Sequence, residues 1–267
     1  MDKITVASVN CCGLGKMQKR RDAVHYLRQK RYSINFFTRH SFGLETRQIH
    51  HSGMGYNFFF FSFFFSLLFP PNNTRSRGVA ILFNNDFELK VKGIFRDNGG
   101  NFLMVHISTM KMDVLLVNIY WPNRDDPKLY TNLNENIAKL KIPNFILAGD
   151  WNLVLDPTID YCNYKRTNNV KAQEKMEEII ADHCLVDIWR KLNPQLRRYI
   201  WRRTNPFQQS RLDFFLISEN LCNTVRDTDI TPGYRTDNSM LTPELSFGKD
   251  CKKRKEKRRH TGNSAHF

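Results

Sequence analysis

The stretch that decides the fold is Asn144-Phe145-Ile146-Leu147-Ala148-Gly149-Asp150-Trp151-Asn152. It starts as an uncharged apolar run of strand length, and such runs are typical of strands covered on both faces. A glycine then leads into Asp150 and Asn152, whose spacing predicts that they share one face of an extended chain. Sheet-based enzymes collect polar chemistry where strands end. An aspartate at that place is also an ordinary turn or helix cap, so the stretch alone leaves catalysis open.

Outward from this stretch, short runs rich in β-branched and aromatic residues alternate with helix-like segments. The strands that these runs predict are Ile4–Val9, Val79–Phe83, Phe102–Ile107, Val114–Tyr120, Asn144–Ala148, Tyr199–Arg202 and Leu212–Ile217. The three- and four-residue spacing of apolar residues predicts helices over Gln18–Lys30, Pro127–Leu140 and Lys171–His183. Strands with interspersed helices predict a layered α/β sandwich.

Further polar residues stand beside apolar runs in the same way. Asp213 opens the run that ends at Ser218, and a carboxylate in such a run needs a partner. The strand closed by Pro122 projects Asn118 and Tyr120 from one face. The segment from Gly233 to Ser239 is a polar turn. Each also fits ordinary turn chemistry or a buried, hydrogen-bonded tyrosine.

The composition points to one main domain and an acidic partner. The chain has 267 residues, 41% of them hydrophobic, and a formal charge of +15. That charge favours nucleic acid, although a basic surface can also serve solubility alone. The six cysteines show no CxxC pair or zinc-ligand spacing, and no secretory signal pattern opens the sequence, so we expect an intracellular protein, nuclear or cytoplasmic.

Two segments stand apart from the main domain, which we place at residues 1–247. Residues 58–73 are read as a low-complexity Phe-rich loop insertion, too short to cross a membrane and prone to aggregation. Residues 248–267 are read as a basic disordered tail, with eight basic and two acidic residues between Lys249 and Arg259. The tail fits nucleic-acid binding, a nuclear import signal, or a solvated or out-of-frame end equally well.

Taken in chain order, these polar residues and the segments around them resemble the sequence pattern of the endonuclease/exonuclease/phosphatase family. The segments that carry the resemblance are SVNCCGLG at 8–15, KRRDAVHYLRQKRYSI at 19–34, SRGVAILFNNDFE at 76–88, NIYWPN at 118–123, LAGDWNLVLDP at 147–157, LVDIWRKLNP at 185–194, WRRTNPFQQSRLDFFLIS at 201–218 and PGYRTDNSM at 232–240. They look most like the endonuclease domains of LINE-type (non-LTR) retrotransposons. The resemblance covers about residues 1 to 247 and implies a four-layer α/β sandwich, two packed mixed β-sheets flanked by helices, of the deoxyribonuclease I-like fold.

The resemblance also implies a role for each matching residue. Asp150 would orient or deprotonate the attacking water, Asn152 would help hold the phosphate, and Tyr120 would contact it. Asn10 and Asp237 would bind Mg²⁺ or Mn²⁺, and Asp213 would pair with the side chain at position 238. Trp201, Arg202, Arg203, Arg211 and Arg235 are the candidates for nucleic-acid contact. The implied reaction is metal-assisted nicking of DNA, leaving a 5′-phosphate and a 3′-hydroxyl. No other cofactor and no membrane partner is implied, and we expect a monomer without a reverse transcriptase domain in this chain.

Two positions depart from the family pattern. The metal-binding glutamate is replaced by Thr38, or by Arg39 if the alignment shifts by one residue. The catalytic histidine is replaced by Asn238, an amide with no useful pKa. These changes predict an impaired nuclease. The alternatives are a catalytically inactive nucleic-acid-binding remnant and a phosphoesterase of the same fold with a lipid or small phosphate as substrate.

Overall fold

The computed structural model describes residues 3–11, 17–39, 56–57, 61–63, 78–84, 86–97, 99–109, 112–163, 169–233 and 238–246. Its strands, in chain order, are β1 (Lys3–Asn10), β2 (Ile34–Arg39), β3 (Tyr56–Asn57), β4 (Phe61–Phe63), β5 (Gly78–Asn84), β6 (Lys90–Arg96), β7 (Phe102–Ser108), β8 (Asp113–Tyr120), β9 (Phe145–Asp150), β10 (Tyr161–Cys162), β11 (Leu185–Asp187), β12 (Trp201–Thr204), β13 (Phe207–Ser210), β14 (Asp213–Ser218), β15 (Val225–Pro232) and β16 (Ser239–Ser246). The helices are α1 (Met17–Lys30), α2 (Pro127–Leu140), α3 (Pro157–Asp160), α4 (Val170–Asp182) and α5 (Ile188–Leu192), with a 3-10 helix at Glu219–Thr224.

Most strands belong to two large sheets. The seven-stranded sheet runs β15-β16-β1-β2-β5-β3, with β4 also paired to β5, and the six-stranded sheet runs β11-β14-β9-β8-β7-β6. Both sheets are mixed, because β1 with β2 and β8 with β9 are parallel while their other neighbours are antiparallel. A small sheet, β10-β13-β12, lies apart from them. The predicted pair of mixed sheets is confirmed, and the small sheet is an addition to it.

Apolar side chains define four layers. Alternate residues of the two large sheets face each other and form the central core, in which Val6, Phe36, Leu116 and Phe215 are fully buried. On the outer face of the six-stranded sheet, α2 and α4 cover a second core. On the outer face of the seven-stranded sheet, α1 covers a third. The central β8 and β9 read as continuous apolar runs because they are covered on both sides.

The predicted elements differ from the observed ones in several places. The third predicted helix begins at Val170, and the predicted strand Tyr199–Arg202 begins only at Trp201. Part of the Phe-rich segment is not a loop, because Phe61–Phe63 pairs with β5. The rest of 58–73 and the whole of 248–267 lie outside the described residues. Within the described part of the chain, no helix is long and apolar enough to cross a membrane.

Candidate active site

The end of β9 is the centre of the candidate site. In the six-stranded sheet, Asp150 lies between Tyr120 of β8 and Asp213 of β14, which are its register partners. From the facing sheet, Asn10 at the end of β1 donates its Nδ2 to Asp150 Oδ2 at 2.6 Å. All four residues are buried. Both sheets therefore contribute polar side chains to one end of the space between them.

Two backbone features bring Asp150 to this place. Gly149 has φ +134°, and a Cβ there would overlap the carbonyl oxygen of Ile119 in β8, so only glycine allows the close approach. Beyond Asp150 the chain turns, because Asn152 adopts a left-handed conformation with φ 49° and donates its backbone N–H to Asp150 Oδ1 at 3.0 Å. The prediction that Asp150 and Asn152 share one face of an extended chain is wrong, since the strand ends between them.

The side chain of Asn152 is held at the rim of the site. Its Nδ2 donates to the backbone carbonyl of Trp121 at 2.5 Å. The backbone carbonyl of Asn152 accepts from Asn169 Nδ2 at 2.9 Å. Behind the turn, Tyr130 donates its hydroxyl to the backbone carbonyl of Trp151 at 3.0 Å. The turn that follows Asp150 is therefore fixed from both sides.

Asp150 and Asp213 form a buried carboxylate pair. Burial raises the pKa of Asp150 to about 7, although the hydrogen bonds from Asn152 and Asn10 oppose the rise. Burial and the charge of Asp150 raise the pKa of Asp213 well above its usual value, and the charge of Arg211 opposes this. Both carboxyl groups therefore favour their neutral, protonated forms unless a cation offsets their charge.

The floor of the site holds the position where the resemblance expects a glutamate. Thr38 pairs with Asn10 in the parallel ladder of β1 and β2. It is fully buried, and among the residues that the structure describes its Oγ1 has no hydrogen-bond partner. Nearby, Asn118 of β8 donates its Nδ2 to the carbonyl of Phe37 at 2.8 Å and to that of Ala80 at 2.7 Å, and so joins the two large sheets. The sequence indicated that Asn118 and Tyr120 share one face of their strand, but nothing in it indicated the cross-sheet bonds.

One further predicted catalytic residue that the structure describes, Asn238, lies at the start of β16. β16 runs antiparallel to β1, so its first residues lie at the end of β1 that carries Asn10. Asn238 directly precedes β16 and is 3% exposed. Asp237 and Arg235, predicted for metal and nucleic-acid binding, lie outside the described residues.

Three predicted nucleic-acid contacts lie on the hairpin formed by β12 and β13. Trp201 is half-buried, while Arg202 and Arg203 are exposed. Arg202 Nη1 donates to Ser239 Oγ at 2.9 Å, which joins the hairpin to the start of β16. Phe207, on the second strand of the hairpin, is 52% exposed. The hairpin therefore presents cationic and aromatic surface beside the site.

The prediction that Arg211 contacts nucleic acid is wrong, because its side chain is fully buried. Its side chain is 0% exposed and belongs to an ion cluster with Asp160, which is also fully buried, and with Asp187 and Arg190, which are partly buried. We call these four residues the buried ion cluster. Arg211 binds Asp160 through Nε at 2.8 Å and Nη2 at 2.7 Å. Nothing in the sequence indicated a role for Asp160, because it ends the short helix α3 and only the tertiary fold brings it to Arg211.

The donors at the site suit a hard cation. Carboxylate and amide oxygens are the ligands that Mg²⁺ prefers, and a cation would offset the charge of the carboxylate pair. Arg211 cannot fully do so because it is committed to the buried ion cluster. Among the residues that the structure describes, no three His, Cys, Asp or Glu side chains are grouped to hold a metal ion. A cation bound here would therefore need amide and solvent oxygens as ligands in addition to the few carboxylates.

Comparison with known sequences gives a family. A sequence model of the Endonuclease/Exonuclease/phosphatase family matches residues 25–243. A curated Xenopus laevis protein, described as a transposon TX1 uncharacterized 149 kDa protein, is 23% identical over 249 residues, or 91% of this chain. The chain spans only 18% of the length of that relative.

Comparison with solved structures gives the same fold. The AP endonuclease LMAP from Leishmania major has a TM-score of 0.73 at 16% identity, covering 92% of this chain and 89% of that one. The endonuclease domain of TRAS1, a telomere-specific non-LTR retrotransposon, has a TM-score of 0.64 at 13% identity, covering 91% and 98%. The 3′ phosphatase NExo from Neisseria, solved with a product DNA hairpin, has a TM-score of 0.64 at 14% identity, covering 91% and 100%. The predicted deoxyribonuclease I-like fold is confirmed.

Proposed function

The chain belongs to the endonuclease/exonuclease/phosphatase family, and on that premise we propose that it is a divalent-metal-dependent DNA endonuclease of retrotransposon origin. The observation that carries the proposal is the meeting of Asn10, Tyr120, Asp150 and Asp213 at one end of the space between the sheets. The exposed arginines of the neighbouring hairpin support a polyanionic substrate.

Each side chain at the site has a chemical role in phosphodiester hydrolysis. Asp150 accepts a proton from the attacking water or orients it, and its raised pKa suits a group that exchanges protons near neutral pH. Asn10 holds the Asp150 carboxylate in place through its amide. Tyr120 and Asn152 flank the position at which the phosphate would lie.

Asn10 and Asp237 would hold the cation, for which Mg²⁺ or Mn²⁺ is the proposed identity. When bound, such an ion offsets the negative charge that develops on the phosphate during in-line attack. Thr38 offers only a neutral hydroxyl in place of a carboxylate, so we expect weak metal affinity. Asn238 cannot supply the cation or proton that a histidine would, which lowers the rate by about 10²- to 10⁴-fold.

Restoring the two replaced residues tests the proposal. We expect the Thr38→Glu/Asn238→His double variant to convert supercoiled plasmid to nicked circles with Mg²⁺ at least about 10²-fold faster than the unchanged chain. EDTA should abolish the nicking. Gel electrophoresis of the plasmid over time measures the rate.

Two further variants serve as controls in the restored protein. Asp150→Ala should abolish nicking, whereas Asp229→Ala removes an exposed aspartate that binds Arg198 and should leave the rate unchanged. A restored protein that is folded, as judged by circular dichroism, and yet does not nick DNA contradicts the proposal.

The orphaned hydroxyl of Thr38 favours a second candidate, a nucleic-acid-binding protein without catalysis. Its expected signature is DNA binding that weakens steeply with salt while the DNA stays intact. The Arg202→Ala/Arg203→Ala variant should bind less tightly and with a smaller salt slope. Lys90→Ala/Arg96→Ala removes the same charge from the edge strand β6 and should have the smaller effect. Equal effects of the two double variants would contradict a specific role for the hairpin.

A further inference from the structure

The buried ion cluster joins three separate parts of the fold. Asp160 ends α3, Asp187 caps α5, Arg190 lies within α5, and Arg211 lies between β13 and β14. Arg190 Nη2 binds Asp160 Oδ1 at 2.5 Å, and Arg211 Nη2 binds Asp187 Oδ2 at 2.7 Å. The cluster therefore connects the small sheet, through its neighbours Asp160 and Arg211, to the six-stranded sheet.

Stability alone does not account for such a cluster. Two acidic and two basic groups balance each other, and apolar residues of similar size often stabilise a core as well as a buried ion network does. Unlike apolar contacts, hydrogen-bonded ion pairs fix the relative orientation of the groups that they join. The planar guanidinium of Arg211 binds Asp160 through two nitrogens, and its Cζ lies 4.6 Å from the ring centre of Phe214 and 5.2 Å from that of Trp189. The orientation of Arg211 is thus fixed by bonds in its plane and by rings across its faces.

The chain on either side of Arg211 leads to the two parts of the site. One residue earlier, Ser210 ends the hairpin of β12 and β13, and two residues later Asp213 pairs with Asp150. The backbone here is bonded in both directions, from Arg211 N to the carbonyl of Asp160 at 3.0 Å and from Trp151 N to the carbonyl of Leu212 at 2.9 Å. A change at Arg211 therefore reaches the hairpin and the carboxylate pair together.

We propose that Arg211, with Asp160 and Asp187, is a positioning residue that sets the orientation of the β12/β13 hairpin relative to the carboxylate pair. Arg202 and Arg203 then meet the nucleic-acid backbone at a fixed distance from Asp150. The effect on nucleic-acid binding rests on the proposed function, whereas the effect on the hairpin does not.

The first test is hydrogen exchange of the whole chain carrying Arg211→Lys, which keeps the charge but loses the planar fork. Amides of the hairpin, residues 201–210, should exchange about tenfold faster than in the unchanged protein, while those of β8 keep their rates. Asp187→Asn, which leaves the Asp160 pair intact, repeats the test if the lysine variant does not fold. Unchanged exchange in the hairpin, or equal acceleration throughout the protein, overturns the proposal.

The second test is a double-mutant cycle on the affinity for a DNA duplex at low salt. Arg202→Ala should weaken binding about fivefold in the unchanged protein, the order of one exposed charged contact, and by less than about twofold in the Arg211→Lys background. Additive effects overturn the positioning role and leave the proposed function standing. A chain that shows no salt-dependent binding at all contradicts DNA binding by the hairpin, and with it this part of the inference.

Discussion

Two groups of buried charge lie on either side of the same short segment, residues 211–213, and they differ in balance. The buried ion cluster holds two carboxylates and two guanidinium groups, with ion-pair distances of 2.5 to 2.7 Å. The carboxylate pair holds two acidic groups side by side, and the charge of Arg211, which also belongs to the cluster, opposes the rise in the pKa of Asp213.

This difference separates scaffold from site. A balanced cluster satisfies its own charges and fixes the geometry of the segments that it joins. An unbalanced pair costs free energy in the folded protein. Binding a cation or a proton at the pair relieves this cost, so the folded protein binds either one more tightly. The predictions that follow test this distinction, beginning with the largest expected effect.

Removing one partner of the balanced cluster should be the most damaging change. Asp160→Ala leaves Arg211 and Arg190 without their shared carboxylate, and the free energy of unfolding should fall by about 3–5 kcal/mol. Denaturation with urea measures the loss.

The matched control is Asp229→Ala, which removes a carboxylate bound to Arg198 at the surface and should cost less than about 1 kcal/mol. Similar losses from the two variants would show that the cluster is no more than an ordinary surface network.

The unbalanced pair should instead make stability depend on pH. The pKa of Asp150 is about 7 in the folded chain and near 3.8 when unfolded, so the folded state binds the proton more tightly between these values. The free energy of unfolding should therefore fall as pH rises from 5 to 7.5, by about 2 kcal/mol. Urea denaturation at a series of pH values, with EDTA present, measures the slope.

Two asparagine variants locate the source of that slope. Asp213→Asn removes the neighbouring charge and should flatten the slope and raise stability at pH 7.5. Asp113→Asn should not change it, because the Lys92 hydrogen bond already lowers the pKa of exposed Asp113 to about 2, below the window. An unchanged slope in Asp213→Asn would mean that the pair does not titrate as a unit.

The comparison also shows how far the sequence could lead. The strand that ends at Gly149 and Asp150 was predictable because a covered strand followed by a polar turn is a local pattern. The three longest helices were predictable from apolar spacing. β2 and β16 were not predicted, since β2 is a short segment in a charged context and β16 interleaves polar residues and carries Pro243. The buried ion cluster was beyond prediction, because its members are up to 51 residues apart and Arg211 has the sequence context of a surface arginine.

The contact between the two large sheets gives a smaller expected effect. Asn118→Leu keeps an apolar strand but leaves the carbonyls of Phe37 and Ala80 without their donor, and should lower the free energy of unfolding by about 1.5 kcal/mol. Asn220→Leu at an exposed position should change it by less than about 0.5 kcal/mol. Urea denaturation compares the two, and a neutral result for Asn118→Leu would show that the cross-sheet bonds add nothing.

The smallest effect should have the opposite sign. The buried Oγ1 of Thr38 has no hydrogen-bond partner in the described part of the chain. A buried group of this kind costs free energy that an apolar side chain of similar shape avoids. Thr38→Val should therefore raise the free energy of unfolding by about 1 kcal/mol. The same substitution at Thr224, whose Oγ1 donates to the carbonyl of Leu221 at 2.7 Å, should lower it. Thermal denaturation of both variants shows the sign of each change in stability. A stabilised Thr38→Val variant would mean that the site keeps a polar group at position 38 at a cost in stability, as it does with the carboxylate pair. A destabilised variant would mean that the Thr38 hydroxyl helps to stabilise the fold.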